Sequence, residues 1–123
     1  MVDARVLLAE ERFTGAYHAG GLALECALKA RIAKLTVAGE FPDRDRTRQA
    51  LEHNPSKLLG AAELLAMQRT DVSPTFQSNW ATVKDWTVDS RYDPSPNPVT
   101  VKAFLDALDD PTDGVLQWVR RHC

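Results

Sequence analysis

Cysteine and histidine are scarce in this chain, and charge of one sign is not in excess. Two cysteines, Cys26 and Cys123, among 123 residues make neither a disulfide scaffold nor a zinc site. No His/Cys/Asp/Glu group has metal-ligand spacing, and no glycine-rich phosphate loop comes after a strand pattern. No metal and no cofactor are therefore expected. Fifteen Lys+Arg against seventeen Asp+Glu leave a net charge of −2. That excludes a strongly basic nucleic-acid coat, and no DNA partner is expected. No apolar run approaches the roughly 18–20 residues that a membrane span requires. The start, Met1-Val2-Asp3-Ala4-Arg5, lacks the basic-then-apolar layout of a secretory signal. The expectation is a cytoplasmic protein away from membranes. What is present is 44% hydrophobic residues, enough for one domain over residues 1–123 with a single core.

The apolar pattern reads as helix nearly throughout, so the expected fold is an all-α, up-and-down bundle of four to six helices. Val6, Leu7, Ala9 and Phe13 place a first helix over 3–14, ended by Gly15. The strongest pattern spans 16–37: Tyr17, Gly21, Leu24, Leu28, Ile32 and Leu35 recur at helical steps. Gly20 and Gly21 inside it each cost about 1 kcal/mol relative to Ala, which implies close approach of a neighbour. Pro42 stops this helix at Phe41. The mixed-charge run Asp43 to Arg48 reads as a solvated loop or exposed helix face. Asn54 and Pro55 open a third helix with Leu58, Leu59, Ala62, Leu65 and Ala66 on its apolar face. A fourth runs about 75–90 with Phe76, Trp80, Val83 and Trp86 as core anchors. Asp93-Pro94-Ser95-Pro96-Asn97-Pro98 excludes helix. A fifth covers 100–108 and a short sixth about 112–121.

Few residues offer chemistry. Glu25 and Lys29 stand one helical turn apart in the favourable acid-to-base order. They make either a surface ion pair or one wall of a groove beside His18 and Leu22. His53 precedes the third helix, where it serves as a hydrogen-bonding group or as an acid or base. Arg91 at the end of the fourth helix offers either a partner for terminal carbonyls or a planar donor fork for phosphate. Tyr92 adds a hydroxyl and a stacking face. Cys26, next to Ala27 in an apolar helix, reads as a buried, inert thiol.

The segment Ala16-Tyr17-His18-Ala19-Gly20-Gly21-Leu22-Ala23-Leu24-Glu25-Cys26-Ala27-Leu28-Lys29-Ala30 resembles the second helix of HEPN domains. Trp86-Thr87-Val88-Asp89-Ser90-Arg91-Tyr92 is similar to the Trp-x-x-Glu-Ser-Arg-Tyr segment of that family, with Asp89 where Glu is usual. His53-Asn54 with Leu58-Leu59 resembles its His-Asp-Leu helix start. Gly114-Val115-Leu116-Gln117-Trp118-Val119 is similar to the tail of bacterial members. The resemblance implies an all-α bundle that acts as a homodimer. It also implies a role in RNA cleavage, toxin-antitoxin or defence systems, or partnership with a nucleotidyltransferase and binding of nucleotide.

Ribonuclease members of that family carry Arg-x4–6-His, and this chain departs from the pattern. Tyr92, Asp93 and the proline-rich stretch come after Arg91, with no His in the window and Asn97 within it. Arg48-x4-His53 meets the spacing in a different segment. The resemblance therefore implies a non-catalytic module with Arg91, Tyr92, Glu25, Lys29 and His53 as ligand-binding residues around nucleotide or RNA phosphate. The alternatives are a metal-independent endoribonuclease toxin using Arg48 and His53 or a rearranged Arg91 site, and a helical dimerisation scaffold without a small ligand.

Overall fold

The structure is a computed structural model that describes residues 1–35, 48 and 51–122, apart from the Arg91 side chain. The charged run 43–47 and Cys123 lie outside the described residues. Seven α-helices and one 3-10 turn make up the described chain, and no strand occurs among the described residues. The helices are α1 (Val2–Ala9), α2 (Phe13–Lys34), α3 (Pro55–Ala61), α4 (Leu65–Thr70) and α5 (Pro74–Val83). The 3-10 turn (Val88–Tyr92) precedes α6 (Pro98–Asp109) and α7 (Val115–Arg121).

The long α2 is the axis of the bundle. It packs against α1, α3, α6, α7 and the 3-10 turn. Its buried residues are Ala16, Gly20, Gly21, Leu24, Glu25, Leu28 and Ile32, the one-sided set that a 3.6-residue period produces. The two glycines serve close approach, as their cost in helix propensity implied. A Cβ on Gly20 would fall 2.5 Å from Leu105 on α6. One on Gly21 would fall 1.9 Å from Cε2 of Trp86.

Three helices start as their sequences dictate. Asn54 accepts from Lys57 N at 3.1 Å, Ser73 from Phe76 N at 3.2 Å and Asn97 from Val99 N at 2.9 Å. A proline stands directly after each cap, where its missing N–H and fixed φ suit the first turn. The inward residues Phe76, Trp80, Val83, Trp86, Val101, Phe104, Leu105, Leu108, Val115 and Trp118 then fill one core with α2.

Two helix ends depart from the sequence reading. The first helix stops at Ala9 rather than near Gly15, and Gly15 lies inside α2. The third stops at Ala61, so Leu65 and Ala66 belong to a separate α4 and are exposed. Both ends close in the same way. Glu11 and Glu63 take positive φ, 58° and 59°. Arg12 N donates to Leu7 O at 2.7 Å and Glu11 N to Leu8 O at 3.0 Å; Leu64 N donates to Leu59 O at 3.2 Å and Glu63 N to Gly60 O at 3.0 Å. This is the Schellman arrangement with glutamate at the left-handed position where glycine is usual. At the second end Leu64 and Leu59, both fully buried, supply its apolar contact. The fourth helix also ends early, at Val83, and Trp86 is buried from the connection beyond it.

Candidate functional site

Glu25 lies on the core-facing side of α2 and is 6% exposed. Burying a carboxylate is expensive unless it is paired. Lys29, one turn later, donates from Nζ to Glu25 Oε1 at 2.7 Å. The imidazole of His53 donates from Nδ1 to the same oxygen at 2.7 Å. His53 reaches Glu25 because its neighbour Asn54 caps α3, and α3 packs on α2. Glu25 is thus a buried anchor rather than one half of a surface ion pair. Its Oε2 has no hydrogen-bond partner among the described residues.

The two groups that Glu25 holds remain open to solvent. The His53 side chain is 51% exposed and that of Lys29 31%. An acceptor on Nδ1 fixes the neutral imidazole with its proton there, leaving Nε2 as the free nitrogen. Lys29 keeps further N–H donors beyond the one on Glu25. The cluster therefore presents an outward pair of nitrogen groups held by one inward carboxylate.

The residues named from the sequence fall into two places. Glu25, Lys29 and His53 form one cluster. Tyr92 belongs to the second, at the end of the 3-10 turn. Thr14 Oγ1 donates to Asp93 O at 2.7 Å, which seats that end of the turn beside the start of α2. Thr14 and Glu25 are separated by roughly 16 Å along the helix axis at 1.5 Å per residue. Tyr92 is 69% exposed, so Tyr92 and Glu25 do not share one polar hollow. The Arg91 side chain lies outside the described residues. Arg48 is exposed and lines an open groove with Glu52, Ser56 and Lys57.

Other side chains take places the sequence did not mark. Cys26 is exposed rather than buried, because it points away from the core side occupied by Leu24, Glu25 and Leu28. His18 Nδ1 is buried without a partner among the described residues, and its ring centroid lies 6.2 Å from that of Trp86. Arg5 on α1 carries no mark in the sequence, yet it grips α6. Its Nε donates to Asp109 Oδ2 at 2.9 Å and its Nη2 to Asp106 Oδ1 at 3.0 Å, with a second, shorter bond to Asp109. Arginine spacing alone gives no sign of this clamp, since its partners lie a hundred positions away. No group of three or more His, Cys, Asp or Glu residues able to hold a metal occurs among the described residues. No described helix is long and apolar enough to cross a membrane.

Comparison with protein-family models, with curated proteins and with solved structures returned no match.

Proposed function

We propose that the chain is an HEPN-like, non-catalytic module that binds nucleotide or RNA phosphate, works as a homodimer, and pairs with a nucleotidyltransferase-like partner. The observation behind the binding reading is the Glu25 cluster. Lys29 and His53, both partly exposed, are fixed on one buried carboxylate, so little side-chain freedom is lost when they meet an anion. Phosphate oxygens accept from the Lys29 ammonium, a charged donor, more strongly than from a neutral one, and they accept from His53 Nε2 in the imidazolium form, in which both ring nitrogens donate. Tyr92 stands exposed near the start of α2, apart from this cluster, and a contact there, together with its sequence neighbour Arg91, would favour a strand of RNA over a single nucleotide. Fluorescence anisotropy with a short labelled single-stranded RNA tests this. Lys29→Ala, His53→Ala and Arg91→Ala are each expected to weaken binding at least fivefold. Unchanged affinity in all three folded variants overturns the reading.

One observation favours a second reading. A carboxylate on Nδ1 with Nε2 free is the arrangement by which enzymes orient a general base. A metal-independent endoribonuclease would use His53 in that way, with Arg48 nearby in sequence. RNA incubated with the protein in EDTA decides between the two. Cleavage that His53→Ala abolishes replaces the binding module by the ribonuclease.

A further inference from the structure

A cavity of about 220 Å³ opens where the 3-10 turn meets α2 and the start of α6. Its lining mixes polar groups with apolar surface: Tyr17, Asp85, Thr87, Ser90, Asn97 and Thr100 contribute the polar side chains, and Pro96 and the aromatic and methyl parts of the others the apolar share. None of these belongs to the Glu25 cluster, so a ligand in this cavity is independent of the phosphate reading.

The hydrogen bonding of this lining is divided. Two of its side chains are committed: Asp93 Oδ1 accepts from Ser95 N and Asn97 Oδ1 caps α6, while Thr14 donates to Asp93 O at its edge. By contrast, the side chains of Tyr17, Asp85, Thr87, Ser90 and Thr100 make no hydrogen bond among the described residues. Ser90 Oγ is buried as well as unpartnered. A buried hydroxyl without a partner carries a desolvation penalty of roughly 1–3 kcal/mol, and a serine hydroxyl can swing among staggered positions to meet one. Five polar groups without a partner among the described residues, four of them hydroxyls, border this space; Asp85, Thr87 and Thr100 are open to solvent, and Tyr17 and Ser90 are partly covered.

Their chemistry narrows the ligand. Two carboxylates, Asp85 and Asp93, line the space and disfavour an anion. The described residues hold no metal-binding group of three or more. The Tyr17 hydroxyl is held above its ordinary titration range by burial and then by the Asp85 charge, so it remains a proton donor at neutral pH. A neutral molecule dense in hydroxyls satisfies such a mixed set of donors and acceptors. The cavity lies below the usual size of drug-like sites, roughly 300–1,000 Å³, and suits a single sugar ring.

We propose that this cavity binds the vicinal diol of a furanose-sized sugar, with Asp85 accepting from both hydroxyls and Tyr17, Thr87 and Ser90 meeting the remaining oxygens. The diol reaches the cavity on a free sugar or on the ribose of a nucleoside. An NMR titration of the ¹⁵N-labelled full chain tests the proposal, with methyl β-D-ribofuranoside, its 2-deoxy counterpart, adenosine, 2′-deoxyadenosine and ethanolamine as probes. The ribofuranoside is expected to shift the Thr87, Ser90 and Thr100 amides saturably, and the 2-deoxy compound to bind at least fivefold more weakly. Asp85→Asn and Thr100→Val are each expected to cut ribofuranoside affinity at least fivefold without changing the rest of the spectrum. Adenosine binding tenfold tighter than the ribofuranoside assigns the diol to a nucleoside; equal affinity assigns it to a free sugar. Equal binding of diol and deoxy probes, tighter binding of ethanolamine, or no saturable shift overturns the proposal. Lys29→Ala leaves these shifts unchanged, which separates this site from phosphate binding.

Discussion

Trp86 lies on Gly21. The indole covers the bare Cα so closely that an added Cβ would sit 1.9 Å from Cε2, and its Nε1 donates to Tyr17 O at 3.2 Å. One residue type is fixed by the other: the ring is buried to 1% exposure only because the helix has no side chain there. Gly21→Ala is expected to destabilise the fold by about 1–3 kcal/mol, the usual cost of overpacking, despite the gain in helix propensity. Urea unfolding measures it. Gly60→Ala is the control, because nothing lies within 4 Å of its added Cβ. That variant is expected to gain about 0.5–1 kcal/mol.

Glu25 holds two partners, and its removal affects both. Glu25→Ala leaves Lys29 and His53 without their shared acceptor and opens a gap beside Leu24 and Leu28. Both partners are partly exposed, so the loss is expected to be about 1–3 kcal/mol rather than that of a fully buried pair. A double-mutant cycle between Glu25 and His53, read by chemical unfolding, is expected to give a coupling energy of about 1 kcal/mol or more. Additive effects within error would show that the 2.7 Å contact contributes nothing.

The clamp between α1 and α6 sets an acid limit. Asp106 is held below the ordinary carboxylate value of 3.8 by its bond from Lys102 and then by that from Arg5. A carboxyl lowered in the folded state binds protons less readily than in the unfolded chain. Its stabilisation is therefore complete above the unfolded value and fades as pH falls through the folded one. Arg5 is raised, chiefly by Asp109, and stays charged across that window. Stability is expected to drop below about pH 4, and Asp106→Asn to flatten the drop. Because these side chains are a third or more exposed, Arg5→Ala is expected to cost about 1 kcal/mol at neutral pH and less in high salt. Thermal unfolding across pH and salt checks both.

The helix outline was legible where sequence carries local marks. Asn54-Pro55 combines a cap with a proline and opens a helix, as its sequence reads. Ser73-Pro74 and Asn97-Pro98 do the same, where the apolar pattern marks helix only from about 75 and 100 and the prolines of 93–98 count against it. Pro98 is nonetheless the first residue of α6, because proline suits a first turn. The all-α class came from the apolar period along α2, α5 and α6. The two Schellman ends were not legible, because Glu11 and Glu63 stand where a glycine would have announced a left-handed residue. Glu25, Lys29 and His53 stand out individually in the sequence. That they meet depends on how α3 packs on α2, which no local pattern records. The hydroxyl-lined cavity was hidden for the same reason: Tyr17, Asp85 and Thr100 come from three separate segments.

Left-handed glutamates imply a stabilising substitution. Glu11→Gly removes a Cβ from a conformation that costs an L-residue roughly 1–2 kcal/mol, against the entropy glycine adds to the unfolded chain. A net gain of about 0.5–1 kcal/mol is expected, seen as a higher urea midpoint with an unchanged slope.

Cys26 is exposed on α2. A maleimide reagent is expected to label it in the native state at a rate that urea below the unfolding midpoint leaves nearly unchanged. Labelling that requires global unfolding would contradict its exposed position.

The bond from Arg5 to Asp109 spans 104 positions of chain, and this separation matters during biosynthesis. When the first helix leaves the ribosome, the acids that will hold it have not been translated. The guanidinium must wait while about a hundred further residues are added, with α2 alone shielding the apolar side of α1. The latch closes only after the sixth helix has emerged, so a helix made before α2 to α6 is secured after them.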